Sequence, residues 1–171
     1  MGAWDRLDTE ISVETDTSDL DTAISNCDEY FTEDIKEYLQ DLKKDVEEGS
    51  KNAVHDLAVR NRSFQQQIIA EVCTNPSGML SSSIQEEEVG ERTWLIGTII
   101  NHIYPLAVEY ARGPVHPIRA KALVFYSDSG ELIFRKSVGP AKARPFVAPA
   151  FEKTVDIADE IMLRYFGRES T

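Results

Sequence analysis

The feature that most constrains this chain is a pair of consecutive apolar stripes. Leu20, Ile24, Cys27, Phe31, Ile35, Leu39, Leu42 and Val46 recur at intervals of three and four residues, the spacing of one face of an α-helix. Ser18, followed by Asp19 and Asp21, offers a side-chain acceptor and negative charge at the start of that helix, and Gly49 is placed to end it. A second stripe of Val54, Leu57, Ala58, Phe64, Ile68, Ile69 and Val72 predicts another helix from about Ser50, stopping near "TNPSG", with "QQQ" (65–67) on its polar face. Two apolar seams of this length must be covered, which requires further layers from the rest of the chain.

Those layers are legible as short strands and helices. "EISVETD" (10–16) alternates as a short strand or extended arm, and "GMLSSSIQEEEVG" reads as a helical turn or strand leading to a turn. "RTWLIGTII" is rich in β-branched and aromatic side chains and predicts a strand. "YPLAVEYARG" predicts a two-turn helix with proline inside its start and glycine after its end. "KALVFYS" and "ELIFRKSV", divided by "DSG", predict a hairpin covered by a helix. "APAFEKTVDIADEIMLRYF" closes the chain as a helix with Phe151, Val155, Ala158, Ile161, Met162 and Tyr165 on one face. The predicted class is α+β: two N-terminal helices, a small antiparallel sheet with a hairpin, a short inserted helix and a C-terminal helix. Residues 1–17 form an N-terminal arm or edge strand, and 18–171 a single domain.

With 171 residues, 42% of them hydrophobic, the chain can bury a core without disulfides or metals. Cys27 and Cys73 lack CxxC or Cys/His spacing and are expected as reduced core thiols. "MGAWDRLDTE" has acids where a secretory signal needs a basic start, and Arg6 stands where a myristoylation signal needs serine or threonine. No membrane association is expected.

Charge is distributed unevenly. Residues 1–50 hold 16 Asp and Glu against 4 Lys and Arg, so the whole net charge of −12 lies there; residues 51–171 balance at 14 of each sign. Residues 105–150 are locally basic, through Arg112, Arg119, Lys121, Arg135, Lys136, Lys142 and Arg144. Such polarity suits head-to-tail assembly, in which one face of a subunit meets a different face of its neighbour.

Catalytic signatures are weak. His55, His102 and His116 lie on different elements, without HExxH, GxSxG or a glycine-rich phosphate loop, and the adjacent glutamates of "QEEEVGE" cannot converge on one ion from an extended strand. No enzymatic activity, metal or cofactor is expected; a hydrolase built on His116 is the least favoured alternative. A pI near 4.7 also argues against tight nucleic-acid binding through phosphate contacts.

The segment "GPAKARPFVAPAFE" has a distinct physical character. Pro140, Pro145 and Pro149 fix three backbone torsions and remove three amide donors, so it cannot join a central strand or a helix interior. Phe146 is a natural plug for an apolar pocket, and Pro149 falls in the first turn of the last helix, where its missing amide costs nothing. Lys142 and Arg144 stand between these anchors.

Three blocks carry a resemblance. Pro76, Gly78, Leu80, Ser83 and Ile84, then Tyr104, Ala107, Val108, Glu109 and Gly113, then Pro145, Phe146, Pro149 and Ala150 occur in the order found in the tail-completion or head–tail joining family of long-tailed phages, the gene-product-ten-like proteins. The chain resembles that family over about residues 10–166. It departs from the pattern by inserting Pro105 and Leu106 after the tyrosine and by placing Gly113 late. The resemblance implies a small α+β virion subunit, made in the host cytoplasm, that forms a ring of most often six copies at the neck. Its partners would be portal-side neck proteins on one side and tail terminator or tube proteins on the other, with genomic DNA passing through the channel without specific binding. Pro145, Phe146 and Pro149 are then expected to anchor the loop, and Arg112, Arg119, Lys142 and Arg144 to contact the acidic N-terminal helix of a neighbour. The alternative from another class is a small non-virion adaptor that binds a protein partner.

Overall fold

A computed structural model of the chain describes residues 8–30, 33–73, 78–100, 103–126 and 129–166. Among these residues the class is α+β, with a three-stranded antiparallel sheet, a separate two-stranded hairpin and six helices.

The spine of the fold is one helix. α1 (Ser18–Tyr30) is followed by α2 (Glu33–Val72), 40 residues long, so the expected boundary at Gly49 does not exist and the break between helices falls before Glu33 instead. Glycine inside a helix costs about 1 kcal/mol relative to alanine, and here the bare backbone is used: a Cβ on Gly49 would sit 3.0 Å from Cε1 of Phe166, whose ring lies over that turn. Phe31, expected within the first stripe, lies outside the described residues. The cap of α1 also starts earlier than Ser18: Asp16 Oδ1 accepts the Ser18 N–H at 2.9 Å, and the Thr17 carbonyl accepts the Asp21 N–H. These bonds from Ser18 hold the Asp16 carboxyl below its ordinary pKa. α1 folds back along the N-terminal half of α2, where Lys43 pairs with Asp21.

The C-terminal half of α2 is sandwiched. On one side lies the sheet of β1 (Asp8–Ser12), β2 (Ile84–Gly90) and β3 (Thr93–Thr98), in the order β1-β3-β2. Ile11 pairs with Trp94 and Glu88 faces Trp94 from the other side, which sets Ile11, Trp94, Ile96 and Ile84 on the face toward α2. Residues spaced along α2 meet that face: Lys51 pairs with Glu88 at 3.0 Å, His55 stacks on Trp94 with centroids 4.6 Å apart, and Arg62 pairs with Glu86 at 2.7 Å. His55 is therefore part of the helix–sheet contact. α3 (Met79–Ser82) leads into β2, with Leu80 buried.

On the other side of α2 lie α5 (Val147–Asp156) and α6 (Ala158–Phe166). The expected single closing helix is interrupted at Ile157, and its buried face is Ala150, Thr154 and Ile161 rather than one containing Phe151 and Val155, which are exposed. Thr154 can face α2 because its hydroxyl is fully used. It donates to the Ala150 carbonyl at 2.8 Å and accepts from Asn61 Nδ2 at 3.0 Å, while Asn61 Oδ1 accepts from Gln65 Nε2 at 2.8 Å. Gln65 thus belongs to the core interface, not to a polar outer face; Gln66 reaches the Ile84 carbonyl and Gln67 is exposed. Cys27 is buried and Cys73 half-buried, both as free thiols. No helix among the described residues is long and apolar enough to cross a membrane.

Candidate functional site

The proline-framed loop and the short inserted helix meet at one carboxylate. α4 (Ile103–Tyr110) carries Glu109 in its last turn, a position where the helix dipole disfavours a negative charge. Its side chain is buried, and one oxygen, Oε2, accepts the backbone N–H of Phe146 at 2.7 Å and of Val147 at 3.1 Å. Phe146 has no side-chain acceptor of its own for the start of α5, so the cap is delivered from a different helix. A carboxylate misplaced at one helix end serves as the cap of another.

The loop is fastened at further points. The Arg144 N–H donates to the Val108 carbonyl at 2.7 Å, and Phe146 is wholly buried among core residues that include Val108 and Ala150. Pro149 occupies the third position of α5, where no intrahelical donor is needed, and Pro145 is exposed. The chain leaves α4 through Ala111, whose φ of 76° lies in the left-handed region; the expected terminating role of Gly113 is taken by an alanine two residues earlier. That turn starts the strand-like segment in which Arg112 pairs with Ala141, and Val115 with Val138.

From this root a two-stranded arm extends. β4 (Leu123–Tyr126) and β5 (Leu132–Arg135) continue the antiparallel pairing, with Gly130 in a positive-φ position at the turn; residues 127–128 of the expected "DSG" lie outside the described residues. The expectation that a helix covers the hairpin is not met: β4 and β5 pack chiefly on each other. The register places Val124 opposite Phe134 and Tyr126 opposite Leu132, so these four share a face, and they are 54, 63, 74 and 48% exposed. An apolar hairpin face open to water is uncommon in a monomer.

The cations group around this arm. Arg112 sits at the root beside the Ala141–Lys142 strand, and Arg144 at the α4 contact, so these three are brought together; Arg119 lies farther out, in the bend between Val115 and β4. Arg119, Lys142 and Arg144 are exposed, and Arg112 is half-buried. His116 is exposed on the same segment, and His102 lies outside the described residues. Sequence reasoning missed the capping role of Glu109, for which the signal was its position in the last turn of a helix. It also missed the open hairpin face. No protein-family model, curated protein or solved structure matches the chain.

Proposed function

We propose that this chain is a virion structural protein of the neck or tail, which forms a ring, completes the tail, joins it to the head and leaves a channel for DNA. The observation that carries the reading is the Glu109 bridge. Two of the three sequence blocks on which the resemblance rests, one around Val108 and Glu109 and one around Pro145 and Phe146, are joined by direct hydrogen bonds at the root of a projecting basic arm. This is a reason for those residue types to occur in that order. A rigid root that aims an arm suits a subunit whose work is contact with neighbours, and the acidic α1–α2 region supplies a surface of opposite charge.

The test is genetic and structural together. Reversal of Lys142 and Arg144 to glutamate is expected to leave the isolated subunit folded, with an unchanged circular dichroism melt, while blocking head–tail joining. Normal infectious particles from that variant refute the reading. A strictly monomeric protein that binds no virion component favours the adaptor alternative.

A further inference from the structure

Two surfaces of this chain expose apolar side chains to water. The first is the arm, with Val124, Tyr126, Leu132 and Phe134 on one open face. From the exposure of these side chains the patch is on the order of 400 to 500 Å2, as large as the largest apolar patches of ordinary monomers. Residues 112–144 hold seven Lys and Arg against two Asp and Glu. The second surface is a groove of about 370 Å3 along α6, lined by Asp159, Met162, Leu163 and Phe166. Phe166 lies over Gly49, so the groove adjoins the face of α2 that carries Asp45 one turn earlier. Leu163 and Phe166 are 68 and 42% exposed.

We propose that the β4–β5 arm of one copy seats in the α6 groove of a second copy. The arm's apolar face covers Met162, Leu163 and Phe166, while Arg119, Lys121 and Lys136 meet Asp45 and Asp159. The inference rests on the reading of the chain as a self-assembling ring subunit and names the parts that join. Charge complementarity within the one sequence selects a second copy as the occupant. Nucleic acid is the poorer fit, because phosphate contacts have no use for four exposed apolar side chains. Giver and receiver are different elements, so the contact is head-to-tail and either closes into a ring or runs on as a filament. The alkyl stems of the flanking cations widen the arm's footprint toward the roughly 800 Å2 per partner of a stable interface.

The experiment uses the full chain and reads mass by light scattering. Val124→Ser with Phe134→Ser alters exposed positions only, so the variant is expected to keep the wild-type melt but stay monomeric at any salt concentration. An arm reversal (R119E/K121E/K136E) and a groove reversal (D45K/D159K) are each expected to be monomeric at low salt. Mixed together they restore an oligomer of alternating copies, because each arm again meets a groove of opposite sign. At 1 M salt, where the screening length falls to about 3 Å, each reversed variant is expected to regain self-association through the apolar face. Wild-type assemblies from the serine variant, or no rescue on mixing, overturn the docking and leave the ring reading standing. Loss of binding to double-stranded DNA by the arm reversal with self-association intact overturns it in favour of a nucleic-acid role. A wild-type chain that remains monomeric, alone and with tail tubes, overturns both.

Discussion

Replacing Glu109 tests the joint on which the loop depends. Glu109→Ala removes the acceptor for two backbone donors at the start of α5, one of them the amide of the wholly buried Phe146. A hydrogen bond to a charged group is worth about 1.5 to 3 kcal/mol and loss of a helix cap about 0.5 to 2 kcal/mol, so with both bonds ending on one oxygen the expected loss is about 3 kcal/mol. For a chain of this size that lowers the melting temperature by roughly 6 to 12 °C. Glu109→Gln keeps an oxygen where Oε2 stands and loses only the attraction between a full charge and the helix N-terminus, about 1 kcal/mol. Urea titration followed by far-ultraviolet circular dichroism measures both, with the m value expected to stay constant. Amide hydrogen exchange at Phe146 and Val147 should rise in the alanine variant and stay near wild type in the glutamine variant. Equal losses for the two substitutions, or less than about 1 kcal/mol for alanine, would show that the carboxylate is not the cap.

Two more perturbations probe the framework. Gly49→Ala is expected to be near neutral, because a helix-propensity gain of about 1 kcal/mol is offset by displacement of the Phe166 ring; in a Phe166→Ala background the gain should appear in full, a non-additivity that a double-mutant cycle in urea measures. The Tyr165 hydroxyl donates to Asp56 Oδ2 at 2.9 Å, and that bond, with burial, raises the tyrosine pKa above 10.0. Because the folded state favours the protonated phenol, the bond's stabilisation is fully present below pH 10 and is lost as pH rises through the raised value. The stability difference between wild type and Tyr165→Phe should therefore be constant from pH 7 to 9 and shrink in stronger alkali; a difference unchanged above that range counts against the bond.

Where local pattern and tertiary packing agree, the fold was legible. Val54, Leu57, Ile68 and Ile69 followed their helical spacing into the core, and the strand assignments that cover 93–98, 123–126 and 132–135 held because β-branched and aromatic residues crowd there. The misplaced features have physical causes that a linear pattern does not display. Gly49 reads as a stop because its missing side chain signals a terminus, whereas here the absent Cβ makes room for an aromatic ring from 117 residues later. Thr154 and Gln65 are polar by type and buried by circumstance: Thr154 meets Asn61 of another helix, and Gln65 donates to the same Asn61 one turn earlier on its own helix. Phe151 and Val155 lie on the expected stripe, but the interruption at Ile157 turns the buried face away from them. Of the anchoring loop, Phe146 and Pro149 could be read from the order of residues; the acceptor that holds the Phe146 amide could not, since Glu109 is 37 residues away in sequence.

The length of α2 has a mechanical consequence. At 1.5 Å per residue its 40 residues form a rod of about 60 Å, with its second half clamped between sheet and helices and its first half carrying the acidic surface with α1 alongside. A load applied to the free half is transmitted to the clamped half without an intervening hinge. The weakest point for bending is the turn at Gly49, where helix propensity is lowest, and there the ring of Phe166 acts as a splint. The angle between the outer half and the body is therefore set by stiffness instead of by a joint, so neighbours gripping that half would inherit a fixed pitch.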